Sequence, residues 1–205
     1  GEQIGRTLAY YRSITSTQEV ARQKIREGAP DGTLIIAEEQ TEGRGRMGRG
    51  WHSPPGKGIW MSVIFKPPLP LSKMPQLTLL IAVALCRAIR KQTGIAADIK
   101  WPNDLTIAGQ KVCGILCESS VEDVRLRYVI AGIGISVNLL RDDYPPALRD
   151  VATSLRIAKG ERIDRTSLLI ACLHELRDVY TLYFEQGFAP IKLMWEAYSV
   201  SLDRK

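Results

Sequence analysis

The sequence predicts an α+β domain, a mixed sheet backed by helices, on three observations. Short apolar, β-branched runs separated by polar or glycine turns occupy its first two thirds, a long helical stripe interrupts them, and two more helical segments close the chain. Strands gathered ahead of helices argue for α+β rather than regular β-α alternation. With 205 residues the chain is sized for one principal domain that can bury a substantial core.

Taken in order, Ser16-Thr17-Gln18-Glu19 ahead of Val20, Ala21 and Ile25 has the pattern of a capping box and predicts a helix ending near Gly28. Asp31-Gly32 turns the chain into a strand over Thr33 to Gln40, TLIIAEEQ. A basic loop follows, and Gly58 to Phe65, GIWMSVIF, is the next strand, rich in aromatic and β-branched residues. Pro67, Pro68 and Pro70 break the chain. Met74, Leu77, Leu80, Ile81, Ala84, Leu85, Ala88 and Ile89 then recur at helical spacing as far as Gly94. The segments ADIKWPND, LTIAGQ, KVCGILCESSV and RLRYVIAGIGISVNL predict a meander of mostly antiparallel strands. Asp164 to Gln186 carries Leu168, Leu169, Cys172, Leu176, Val179, Tyr180 and Tyr183 on one stripe, and Pro190 to Tyr198 makes a last helix.

Composition narrows the function only loosely. A net charge of +6 suits anionic ligands, yet Lys and Arg are dispersed, so nucleic acid is allowed without being indicated. No apolar run approaches the roughly 18 residues that span a bilayer, and GEQIGRTLAYY lacks the apolar core of a signal peptide; the expected compartment is the cytoplasm, with no membrane partner. A first residue other than Met is compatible with a longer parent chain. Cys86, Cys113, Cys117 and Cys172 include no CxxC pair. On one strand Cys113 and Cys117 would stand roughly 13 Å apart, beyond disulfide reach, so all four are expected as reduced, mostly buried thiols.

The chemistry concentrates in Thr41 to Gly58, TEGRGRMGRGWHSPPGKG. Six of the 17 glycines fall between Gly43 and Gly58, together with Arg44, Arg46, Arg49 and Lys57 and no acid. Ordering glycine is entropically expensive, so an anionic ligand is expected to order this loop. Gly43-x-Gly45-x-x-Gly48 matches a dinucleotide fingerprint in letters only, because Ser53-Pro54-Pro55-Gly56 and a strand follow where a helix is required. Kinase signatures are absent, and Gly56-Lys57-Gly58 lacks the hydroxyl residue of a P-loop. A cationic lid joining two strands remains, with a solvated surface loop as the plain alternative. Trp51 favours the lid, since an indole in a loop pays its way by stacking, and an arginine fork suits carboxylate or phosphate.

Other segments have bland readings as well. Lys100-Trp101-Pro102-Asn103-Asp104 reads as a strand end with a turn, and Lys111 as a solvated strand start. His174 is expected to be exposed, no metal-binding spacing exists, and G-x-S-x-G is missing.

Taken together and in order, Ser16-Thr17, Ala37 to Gln40, Gly43 to Trp51, Lys100 to Asp104, Lys111 to Leu116, Gly132 to Ile135 and Thr153 to Leu155 resemble the biotin protein ligase family over nearly the whole chain. The resemblance implies a class II aminoacyl-tRNA synthetase-like catalytic domain that joins biotin to ATP and then to a lysine of a biotin carboxyl carrier protein, an acetyl-CoA carboxylase subunit or similar biotin-dependent enzyme. It implies Ser16, Thr17, Gln18, Gln40, Arg44, Gly45, Arg46 and Lys111 at biotin, and Arg46, Arg49, Trp51, Asn103, Asp104 and Lys111 at ATP or the adenylate. Lys111 and Arg46 would be catalytic, and Mg2+ would ride on the ATP phosphates without a protein-only metal site.

It further implies a catalytic domain over 1–200, with 201–205 opening a small SH3-like barrel not contained here. Ile4 to Tyr11 resembles the segment that follows a DNA-binding helix-turn-helix in two-function members, so DNA is a partner only if such a domain lies upstream; a homodimer is also allowed. Gln18, Cys113 and Ser136 depart from the usual Asn, small residue and Asn. Cys113 is expected to crowd the pocket side of its strand, and the other two to rearrange hydrogen bonds. A lipoate ligase or transferase and a non-enzymatic module binding single-stranded nucleic acid through the basic loop are the rival readings.

Overall fold

A computed structural model of the chain describes residues 4–201. Among them, β1 (Leu8–Ile14), β2 (Leu34–Gln40), β3 (Gly58–Phe65), β4 (Asp98–Lys100), β5 (Asp104–Ile107), β6 (Gln110–Glu122) and β7 (Arg125–Ser136) form a seven-stranded sheet in the order β1-β2-β3-β7-β6-β5-β4. The helices are α1 (Thr17–Arg26), α2 (Met74–Thr93), α3 (Leu155–Lys159), α4 (Arg165–Gln186) and α5 (Ala189–Tyr198). Of residues 201–205, expected to open a further barrel, all but Ser201 lie outside the described residues.

Only β1 and β2 run parallel, with Leu8 opposite Leu34 and Ile14 opposite Gln40. The remaining neighbours are antiparallel, so the expected meander is present and the sheet is mixed. β1 and the short helix α3 are elements that the sequence did not predict.

Strand alternation sorts the sheet into two faces. Ile59, Met61, Val63 and Phe65 of β3, Ala131, Ile133 and Ile135 of β7, and Cys113 and Ile115 of β6 enter the main core with α2 and α4. Cys113 therefore points at the helices and does not crowd a pocket on the other face; its neighbour Gly114 faces that way instead. The opposite face carries Ile64 and Ile130, which pack with Ala21 of α1, and Trp60, which packs with Leu139 and Tyr144. This face is covered by α1, by the β2–β3 loop and by the segment carrying Leu139 and Tyr144.

α2 corrects an expectation. Leu71–Thr93 is long and apolar enough by composition to cross a membrane, with a mean hydropathy of 1.3. Its apolar surface is used internally: Leu80, Ile81, Ala84, Leu85, Ala88 and Ile89 are buried in the main core. Gly94, at φ 73, ends the helix in the left-handed conformation that its missing Cβ permits.

α1 shows a second difference. Ser16 caps it, its Oγ accepting from the Gln18 N–H at 3.2 Å. Glu19 does not reach back to complete a capping box; its carboxylate takes the guanidinium groups of Arg22 and Arg44, at 2.6 and 2.7 Å. A charge-assisted bond to a cation outcompetes one to a neutral amide.

Candidate active site

The glycine-arginine segment leaves β2 and enters β3, the predicted strand-to-strand setting. Main-chain hydrogen bonds give it a defined shape. Arg44 and Gly50 form a bridge, the Gly45 N–H donates to Arg49 O at 2.7 Å, and the Trp51 N–H donates to Gly43 O at 2.8 Å, making a small hairpin. Its tip is a 3-10 turn over Arg46–Gly48 with Met47 at φ 58. Close approach explains Gly43, where an added Cβ would stand 2.5 Å from the Trp51 carbonyl oxygen. Arg44, Arg46 and Arg49 are all exposed on this hairpin.

At one end of the open face, α1 and the ends of β2 and β3 assemble a polar cluster. The Thr17 N–H and Oγ1–H both donate to Gln40 Oε1, at 2.9 and 3.2 Å. Thr17 Oγ1 is also 2.8 Å from Ser62 Oγ, which donates to Gln18 Oε1 at 2.7 Å. Gln18 Nε2 donates to Leu116 O at 3.3 Å and to Glu118 Oε2 at 2.9 Å. Gln40 Nε2 donates to Ser53 Oγ at 3.0 Å, at the base of the hairpin. Ser16 lies beside this group, but its hydroxyl is spent on the helix cap.

The floor next to the cluster is glycine. Gly114 of β6 and Gly134 of β7 are directly paired, and Gly132 is paired with Leu116. An added Cβ at Gly132 would meet Gln18 Cδ at 2.9 Å, and one at Gly134 would meet Trp51 Nε1 at 2.2 Å. Gln18 and Trp51 thus lie directly on the backbone. The Trp51 indole N–H is buried without an acceptor among the described residues.

Cations gather at the other end. Lys111 Nζ lies 5.2 Å from the Trp51 ring centroid and 2.9 Å from Asp104 Oδ1. Arg46 donates to Asn103 Oδ1 at 3.1 Å, and Asn103 Nδ2 in turn donates to Ile115 O at 2.8 Å. The hairpin's return toward β3 is held by Lys57 to Asp143 at 3.0 Å, while His52 Nε2 lies 2.7 Å from Asp143 O. The Leu140 N–H, and then Lys57, hold the Asp143 carboxyl below its ordinary value against the opposing effect of burial. Arg22 and Arg44 lower the Glu19 carboxyl likewise.

Every residue expected at a ligand therefore lies on the open face or on the hairpin beside it. Sequence reading missed Ser62, the glycine floor and the Glu19, Arg22 and Glu118 charges. A signal for the floor existed in Gly132-Ile133-Gly134-Ile135, where period-two alternation puts both glycines on one side. A separate cavity of about 590 Å3 lies near the start of α4, lined by Tyr10, Glu38, Asn138, Arg162 and Arg165 among others. It contains none of the expected residues; the trough above the glycines is filled by Gln18 and Trp51.

No group of three or more His, Cys, Asp or Glu side chains suited to a metal ion occurs among the described residues. Asp104 is the carboxylate next to the cationic end, with one oxygen already facing Lys111. That environment fits an ion carried in on phosphate better than one caged by protein.

The Biotin/lipoate A/B protein ligase family profile matches residues 10–136. Over 201 residues the chain is 50% identical to the bifunctional ligase/repressor BirA of Bacillus spizizenii and 49% identical to the protein of the same name from Bacillus subtilis, covering 98% of this chain and 62% of each relative. It thus spans less than two thirds of these relatives' length. Among solved structures, the biotin protein ligase from Aquifex aeolicus in complex with biotin and ATP aligns with a TM-score of 0.81 and 31% identity, over 95% of this chain and 79% of that one.

Proposed function

Because the chain belongs to the biotin/lipoate A/B protein ligase family, we propose that its open face activates biotin with ATP and transfers it to a lysine of a biotin carboxyl carrier protein in the cytoplasm. The seven-stranded mixed sheet backed by helices is the synthetase-like α+β fold of such catalytic domains. The observation that carries the proposal is the floor of Gly114, Gly132 and Gly134, which bear no side chains of their own and are overlaid by Gln18 and Trp51, with a hydrogen-bonding cluster at one end and Lys111 and Arg46 at the other. A ligand with a polar head, an aliphatic stem and an anionic tail matches that sequence of surfaces.

Thr17, Gln18 and Gln40 offer donors and acceptors to the ureido head, with Arg44 and Gly45 covering it. Trp51 supplies an aromatic surface for the adenylate, and Arg49 a further cation for its phosphates. Lys111 stands where the biotin carboxylate would meet the α-phosphorus, beside Asn103 and Asp104 on the nucleotide side. The carboxylate oxygen bonds to phosphorus as the α–β P–O bond breaks and pyrophosphate leaves; no enzyme nucleophile is needed. Lys111 and Arg46 hold the two anions together and offset the charge that builds at phosphorus. Mg2+ would be held by the ATP phosphates, with Asp104 the carboxylate of the chain beside them, and would neutralise part of the phosphate charge. The acceptor amine then attacks the acyl carbon and AMP departs, while the hairpin shields the adenylate from water until that moment.

Incubation with biotin and MgATP followed by mass spectrometry tests this reading. Retained biotinyl-adenylate is expected. Activation of lipoate alone assigns the chain to the other branch of its family. Salt-sensitive binding of single-stranded nucleic acid, with neither acid activated, supports the binding-module alternative instead.

A further inference from the structure

Glu19, released from capping, belongs to a line of alternating charges that crosses from the sheet to the hairpin. Glu118 Oε2 of β6 accepts from Arg22 at 2.6 Å; Arg22 donates again to Glu19 Oε1 at 2.6 Å; and the same Glu19 oxygen accepts from Arg44 at 2.7 Å. Each charge has only opposite charges as partners in this line, the arrangement in which half-exposed ion pairs contribute more than isolated ones. Glu118 Oε2 also accepts from Gln18. The line therefore begins at a side chain resting on the glycine floor and ends on a hairpin arginine.

We propose that Glu19 and Glu118 are positioning residues for biotin activation, which with Arg22 fix the guanidinium of Arg44 over the biotin site. This rests on the ligase reading of that site. The hairpin is glycine-rich and cannot orient a long arginine by its own packing, whereas α1 is anchored by Ala21 in the small core and presents Thr17 and Gln18 from its first turn. Keying Arg44 to α1 makes one rigid element set both the ligand's hydrogen bonds and the position of the cover above them. Arg44 then closes over biotin in register with Thr17 and Gln18, and retention of the adenylate depends on carboxylates that do not themselves touch it.

The test compares wild type with Glu19→Gln, Glu118→Gln, Arg44→Ala and the Glu19→Gln/Arg44→Ala double variant, each first matched to wild type in circular dichroism. Biotin KM, kcat for adenylate formation and the rate at which biotinyl-adenylate leaves the enzyme are measured. For Glu19→Gln, KM and adenylate release are expected to rise about fivefold, as for a partly exposed ion-pair network, with kcat nearly unchanged. Glu118→Gln shifts the same two quantities by less. The double variant matches Arg44→Ala alone, since the Glu19 effect runs through Arg44. Additive losses, unchanged release, or a fall in kcat at constant KM overturns the positioning role. A wild-type protein that makes no adenylate overturns the ligase reading itself and the role with it, a result distinct from the other three.

Discussion

Gly134 has no room for even one methyl group beside the Trp51 indole. Gly134→Ala is expected to displace Trp51 and lower adenylate formation at least about tenfold, because small misplacements at a reacting centre are costly. A stopped-assay measurement of pyrophosphate release checks it, with urea unfolding separating local from global damage. Lys111→Ala removes the cation proposed for the carboxylate-phosphate junction and is expected to depress adenylate formation about a hundredfold, while biotin binding, measured by calorimetry, falls much less. Equal losses in both count against that role. At this scale the basic loop was legible because its glycines and arginines stand side by side, whereas ligand roles for Thr17, Gln40, Asn103 and Lys111 were expected only from the resemblance of their segments to a family. Their partners were not legible: Glu118 meets Arg22 from 96 residues away, and no local pattern announces such a meeting.

The strands divide into those that announce themselves and one that does not. β3 shows its apolar and β-branched run because it is buried on both faces along its whole length. β1 is an edge strand in which Ala9 and Tyr11 turn inward against the small core while Leu8 and Tyr10 are 57% and 55% exposed, so its alternation in burial is not matched by an alternation in hydropathy. α1 was legible from Ser16, but the fate of Glu19 only in part: Arg22 stands three residues along the same helix, whereas Arg44 reaches it from the hairpin. Gly58, where the hairpin segment becomes β3, is a point of tight construction. A Cβ there would stand 2.2 Å from the Trp60 ring and 2.6 Å from the Ile135 carbonyl oxygen, a backbone atom of the next strand. Gly58→Ala is therefore expected to destabilise the fold by about 1–3 kcal/mol, read as a lower urea midpoint.

For the whole molecule, the helix layer is pinned by one buried charge. Glu175 of α4, 6% exposed, accepts from Arg87 at 2.7 Å and also from Lys91, both on α2. Burial raises its pKa, but the two cations outweigh burial and hold it below its ordinary 4.5. A carboxylate depressed in the folded state contributes stability that is present above pH 4.5 and lost as pH falls through the folded value. Glu175→Gln is accordingly expected to cost about 2 kcal/mol at neutral pH. In urea titrations its gap from wild type closes as the solution is acidified below that range. A gap that stays constant with pH excludes the carboxylate charge as its cause. The α+β architecture was legible from the order of strands and helices, whereas the division of labour between the two faces became visible only once register placed the glycines of β6 and β7 together.

The seating of Trp51 on bare backbone also gives the molecule an optical reporter. Trp60 is fully buried and Trp101 is 62% exposed, so their emission marks the extremes of an interior and an aqueous indole. Trp51 alone combines a glycine floor with a lysine ammonium near its ring. Movement of the hairpin by even one side-chain diameter exchanges both for water. Its fluorescence, isolated by difference from Trp51→Phe, is therefore expected to report any displacement of the hairpin from the glycine floor without a label.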